Sequence, residues 1–207
     1  MTSKRLLALD VSTKTGWSLI ISHSDGTYEL ETYGQVPKVP MPEGEYPGVF
    51  VDWAYDCYLP IAQIIEETHP DILIVEETSK GSKNALSQKI LEFTHYLLAS
   101  YIKETGIESH YLMTGEWRRA TGCSMSLEEK ARNKEARTFK KKNKTKVAKD
   151  AQGKRIGIIG KKHVSIRRAN EIFGSQLKEP LRRKDEDASE SLLLAIAGHV
   201  KITGVKL

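Results

Sequence analysis

Apolar positions follow two rhythms along this chain. Arg5 to Val11 and Gly16 to Ser22 are short apolar runs separated by Ser12-Thr13-Lys14-Thr15, and Tyr28 to Val36 alternates apolar with polar. Such runs predict three strands, with Asp25-Gly26 as the hairpin turn before the third. Asp71 to Val75 is short, β-branched and bounded by His69-Pro70 and Glu76-Glu77. It predicts a strand buried on both faces, the kind that pairs in parallel. Ser109 to Met113 supplies one more.

The second rhythm is helical. Val49 to Thr68 spaces its apolar residues by three and four, and Pro60 is expected to start, break or kink that helix. From Asn84 to Glu104, Leu86, Ile90, Phe93, Leu97 and Tyr101 mark a long amphipathic helix after a polar Ser82-Lys83-Asn84 start, ended by Gly106. Thr114 is placed to cap a short helix holding Trp117, Arg118 and Arg119, with Trp117 in the core. Val164 to Phe173, ended by Gly174, and Asp185 to Ile202 are two further helices. The last is apolar nearly all round from Leu192 to Ala197, so it must pack on a sheet. Residues 124–162 differ: lysine dominates, large apolar residues are few, and no element is assigned beyond a hairpin or binding-ordered loop at Gly153 to Gly160. The expectation is one α/β domain over residues 1–207, with 124–162 as a basic insertion before the last two helices.

Charge sharpens that division. The 207 residues carry a net +5, yet residues 130–184 hold 20 Lys/Arg against 4 Asp/Glu, a local +16 against −11 for the rest. An acidic body with a basic segment suits an enzyme that holds metal ions on carboxylates and a phosphate backbone on cations. Lys140, Lys141, Lys142, Lys161, Lys162, Arg167 and Arg168 are the expected phosphate contacts. Cys57 and Cys123 are too few for a disulfide framework or zinc site and read as ordinary thiols of a reducing compartment. The opening MTSKRLLALDVS fits neither a signal peptide nor a membrane span, so a soluble, cytoplasmic protein is expected, in the bacterial host cytoplasm if phage-encoded.

Candidate chemistry lies in four carboxylates. Hydrolysis of a phosphodiester benefits from two divalent cations, and magnesium takes oxygen ligands from several converging carboxylates. Asp10 interrupts an apolar strand where an uncompensated charge is costly. Glu76 directly follows Ile72 to Val75 and reaches the same sheet edge if the two strands are neighbours. Glu77 points to the opposite face, and spacing alone leaves open which of the two glutamates faces a site. Asp187 and Glu190 are three apart on the last helix and share a face, whereas Asp185 lies about 200° round from Asp187. His163 and His199 read as surface or capping histidines.

These residues carry a resemblance. Leu9-Asp10-Val11-Ser12-Thr13-Lys14-Thr15-Gly16-Trp17 resembles the first-strand motif of RuvC-type Holliday junction resolvases, with Gly16 expected to let the hairpin turn tightly. Ile74-Val75-Glu76 followed by Lys83-Asn84-Ala85 is similar to the segment around that family's second acid. Asp187-Ala188-Ser189-Glu190 through Ala197 resembles its closing acid motif, with Glu190 where aspartate is usual. Glu116-Trp117-Arg118-Arg119 and Ile166 to Gly174 resemble phage-encoded members. The resemblance implies an RNase H-like fold with a mixed five-stranded sheet flanked by helices, and Glu76 rather than Glu77 in the site. It also implies a homodimer and two Mg²⁺ ions, replaceable by Mn²⁺, cutting four-way or other branched DNA. Asp10, Glu76, Asp187 and Glu190 would be the catalytic metal ligands. Two features depart from it: no aromatic follows Glu76 through Gly81 where RuvC-type enzymes carry a wedge, and the lysine-rich insertion has no firm counterpart. The rivals are a non-catalytic binder of branched DNA and an actin-like or sugar-kinase ATPase, which needs a duplicated domain too long for this chain.

Overall fold

β1 (Ser3–Asp10), β2 (Gly16–His23) and β3 (Tyr28–Gln35) form an antiparallel meander, and β4 (Ile72–Glu76) and β5 (Glu108–Leu112) add to the free side of β1 in parallel. The sheet order is β3-β2-β1-β4-β5. The computed structural model describes residues 2–78, 85–142 and 158–205, with the side chains of 140–142 also outside that set. Ile72 to Val75 are fully buried, as a strand covered on both faces requires.

Strand alternation sorts the core into two layers. Leu6, Ala8, Ile20, Ile72 and Ile74 pack against α3 (Thr114–Ala120), α5 (Lys161–Phe173) and α6 (Glu186–Thr203). Leu7, Leu9, Leu19, Leu73 and Val75 pack against α1 (Gly48–Thr68) and α2 (Ala85–Thr105). Helix α6 is the central member of its layer, with every residue from Leu192 to Ala197 buried. Its Gly198 lies so close to β4 that a Cβ would come within 2.5 Å of the Ile74 side chain.

Several elements differ from expectation. Pro60 sits inside an unbroken α1, because Cys57, Ile61 and Ile65 bury the helix's inner face on both sides of it, offsetting the one hydrogen bond that proline removes. Thr114 is not a cap: Met113 occupies that position, its N–H donating to Glu116 Oε2 at 2.8 Å, and the Thr114 hydroxyl is free for another task. Gly106 does end α2, at φ +70° with its N–H on Ile102 O. The largest difference is α4 (Leu127–Lys142), a regular helix in the segment to which the lysine-rich composition assigned none. Ser126 and Glu129 start it with reciprocal hydrogen bonds of 2.9 and 3.1 Å, a capping box. Asn133 then ties it to the body by bonding both N and O of Ile159. Most of Gly153 to Gly160, and the polar start proposed at Ser82 to Asn84, lie outside the described residues. Finally, His199 is buried rather than superficial, 1% exposed between Ser22 and the Gly26 carbonyl.

Candidate active site

Asp10 and Glu76 inherit their direction from strand parity. Asp10 continues the Leu6-Ala8 series and Glu76 the Ile72-Ile74 series, so both face α6, while Glu77 belongs to the other parity. Because β1 and β4 are parallel neighbours, with Leu9 beside Val75, the two acids emerge at one sheet edge. There the first turns of α6 supply Asp187 and Glu190. All four line a single cleft of about 280 Å³.

Gly16 permits this approach. It pairs with Asp10 across the β1–β2 ladder, and a Cβ on it would lie 2.1 Å from the Asp187 carbonyl oxygen. The residue is required because helix backbone crosses directly over it. Its φ is not in the left-handed region, so the tight turn expected from the sequence is not the reason.

The electrostatics follow from crowding. Burial first, then the carboxylates of Glu76, Glu190 and Asp187, raise the Asp10 pKa well above the usual carboxylate range, against the opposing pull of Lys162. Burial also raises Glu190, although Arg118, Ser165 and Lys162 counteract it. Burial and mutual repulsion therefore both disfavour full ionisation of the cluster.

Two helices furnish partners in pairs one turn apart, and a third adds one more. On α3, Thr114 donates to Glu76 Oε1 and Arg118, stacked 4.4 Å from the centroid of the buried Trp117 ring, pairs with Glu190. On α5, Lys162 Nζ lies 2.7 Å from Asp187 Oδ1 and 3.1 Å from Glu186, and Ser165 Oγ donates to Glu190 at 2.9 Å. Burial disfavours the Lys162 charge, but its bonds to Asp187 and Glu186 outweigh that and push its pKa above the ordinary lysine value. Lys14 approaches Asp187 at 3.5 Å, and His95 of α2 places Nε2 2.9 Å from the Glu76 carbonyl. Sequence reasoning missed Thr114, Arg118, Ser165 and His95 as site residues. The i, i+4 spacing of Thr114 with Arg118 and the i, i+3 spacing of Lys162 with Ser165 were the available signals.

Comparison with known proteins settles the architecture. No protein-family model and no curated protein sequence matches the chain. Solved structures do: RuvC of Thermus thermophilus aligns with a TM-score of 0.60 at 13% identity over 98% of both chains. The same protein in complex with a Holliday junction substrate gives 0.59 at 12% identity, again over 98% of each. The yeast mitochondrial Holliday junction resolvase gives 0.55 at 10% identity, over 95% of this chain and 78% of its own. The chain has the RuvC-type, RNase H-like fold.

The donor set suits divalent cations in kind: four carboxylates, all hard oxygen donors, around an Asp10 that cationic company would relieve. As the side chains stand, they answer to protein cations instead. Among the described residues no three Asp, Glu, His or Cys side chains are drawn together tightly enough to hold an ion.

The expected phosphate contacts are dispersed. Lys162, half-exposed, lines the acid cleft and pairs with Asp187 and Glu186. Arg167 pairs with Glu129 and Glu171, and Arg168 with Glu171 and the Thr121 carbonyl. Lys161 is exposed at the start of α5, and the side chains of Lys140, Lys141 and Lys142 lie outside the described residues. Both cysteines are free and buried. Among the described residues no helix is long and apolar enough to cross a membrane.

Proposed function

We propose that this chain is a divalent-metal-dependent endonuclease that hydrolyses phosphodiesters in four-way and other branched DNA. The observation that carries the reading is the convergence of Asp10, Glu76, Asp187 and Glu190 in one cleft at the carboxyl ends of parallel β1 and β4. The structural likeness to a RuvC bound to a Holliday junction substrate supports the substrate class.

Asp10, Glu76 and Asp187 would hold two Mg²⁺ ions, or Mn²⁺ in their place, and Glu190 either joins them or orients the attacking water. Such ions activate water and stabilise the leaving oxygen. The chain's own groups position the substrate: Lys162 and Lys14 offer cations to a phosphodiester entering beside Asp187, Arg118 holds Glu190, and Thr114 fixes the Glu76 rotamer. Two opposed nicks require two sites, which a homodimer provides. Val51, Tyr55 and Leu59 form an exposed stripe on α1, and Phe93 and Tyr96 a second on the α2 packed against it, a surface suited to a second copy.

One observation favours a rival. Arg118, Lys162 and Lys14 already neutralise Glu190 and Asp187, as in a branched-DNA binder whose acids are structural. Titrating Mg²⁺ against four-way, three-way, flap and linear DNA separates the two. The nuclease nicks branched substrates in proportion to bound metal and spares linear DNA, whereas the binder retains branched DNA uncut at every concentration.

A further inference from the structure

We infer that the outer face of α4 is a second DNA-binding site, a track for the phosphodiester backbone of a duplex arm leaving the acid cleft. This rests on the proposed branched-DNA substrate. Lys130, Lys134 and Arg137 recur at steps of four and three, so their side chains fall within an arc of about 60° on one side of the helix. They line a cleft of about 430 Å³ together with Met125, Asn133 and Thr138. All three cations are exposed, and among the described residues none takes part in an ion pair. Other basic residues nearby behave differently: Arg118, Lys162, Arg167 and Arg168 are each committed to a glutamate or aspartate.

The stripe is unfavourable by itself, because Lys130 and Lys134 are like charges one turn apart. An anionic partner relieves that repulsion. The helix is also fixed rather than free. Asn133, 4% exposed, bonds both N and O of Ile159, and Glu129 clamps Arg167 of α5, the helix whose Lys162 and Ser165 reach the acids. A ligand lying on the stripe is therefore held in a set relation to the cleft.

The chemistry selects a duplex backbone. From residue 130 to 137 the helix rises about 10 Å, roughly three axial steps of one strand, so the three cations face a run of about four consecutive phosphates. Among the described residues none lining the cleft is aromatic, so unpaired bases find no ring there to stack on and a single strand gains little from it.

The test compares the full chain with Lys130→Ala/Lys134→Ala/Arg137→Ala, and with Lys103→Ala/Lys201→Ala as a control for lost surface charge. Binding to a four-way junction is measured against salt concentration with a chelator present. The expected result is a slope of log K on log salt shallower by ~2.7 in the triple variant, about 0.9 or less in the control, and junction cleavage at saturating DNA within about twofold of the parent. Trimming the junction arms to a few base pairs should shrink the difference between triple variant and parent. An unchanged slope and affinity, or a defect indifferent to arm length, overturns the α4 site. A parent chain that fails to bind branched DNA at all overturns the underlying substrate reading instead.

Discussion

On the α1–α2 side of the sheet, β1 and β4 present Leu7, Leu9, Leu73 and Val75; on the α6 side the same strands present Leu6, Ala8, Ile72 and Ile74, and then Asp10 and Glu76. The apolar parts of the two layers are equally dry, each built from residues at or near zero exposure. They differ in what covers the strand ends. On one side the helices close over apolar residues; on the other, α6 delivers two more acids over a glycine that leaves no room for a side chain. A carboxylate cluster is thus built by extending an ordinary alternation one step beyond the core, where its cost in repulsion is borne by an otherwise complete apolar layer.

The contrast is broken most severely at its centre. Asp10→Asn should lower junction cleavage on the order of 10³-fold, the scale of losing one charge-stabilising group, while leaving junction affinity intact. It should also raise the melting temperature in metal-free buffer. The sign follows from the raised folded pKa: between the unfolded value near 4 and that raised value the folded state binds more protons, so stability falls as pH rises through that window, and above the unfolded value Asp10 is a net cost. A variant that melts lower and still cuts would make Asp10 a structural residue.

Gly16→Ala comes next. Its methyl group must displace the Asp187 backbone, so a loss of about 3 kcal/mol in denaturant titration and a cleavage defect at temperatures where the variant is folded are expected. Paired truncations then sharpen the comparison of the two sides. Leu194→Ala and Leu98→Ala should each cost about 2–5 kcal/mol, but only the α6 change, one turn from Glu190, should reduce cleavage by the folded protein. Equal cleavage in both would mean the acids are held independently of the layer beneath them.

The smallest effect concerns His199, whose burial holds its pKa below the ordinary histidine value. Its neutral form is the one the fold accepts, so its contribution is complete above the unfolded pKa near 6.5 and is lost as pH falls from there towards the depressed folded value. Melting curves between pH 7.5 and about 5 should decline less for His199→Gln than for the parent. Parallel declines would remove histidine ionisation as the cause.

Much of this was legible before any coordinates. The five strands, the parallel placement of β4 and the four acids follow from apolar rhythm and from a charge interrupting it. Spacing alone left Glu76 and Glu77 open and only the resemblance favoured Glu76; the parity of β4 relative to the α6 layer supplies the physical reason. Capping residues were less legible: Thr114 has the chemistry of an N-cap, but Glu76 competes for its hydroxyl and wins. Helix α4 was hidden because lysine-rich composition masked a short local signal, Ser126 to Glu129, that needs no apolar stripe. The pairing of Lys162 was not legible from its basic neighbours in sequence: the fold sets its half-exposed side chain beside Asp187 and Glu186.

The position of α6 in the chain has a temporal consequence. Its acids follow all five strands in sequence, so on a ribosome adding roughly 5–20 residues per second the sheet is complete before Asp187 and Glu190 exist. A product interrupted between Glu76 and Asp187 carries Asp10 and Glu76 without their counterparts. Full assembly of the acid cluster is thereby deferred until translation has passed the helix that stacks on β1 and β2, so that unfinished copies of the proposed nuclease would lack half of its carboxylates.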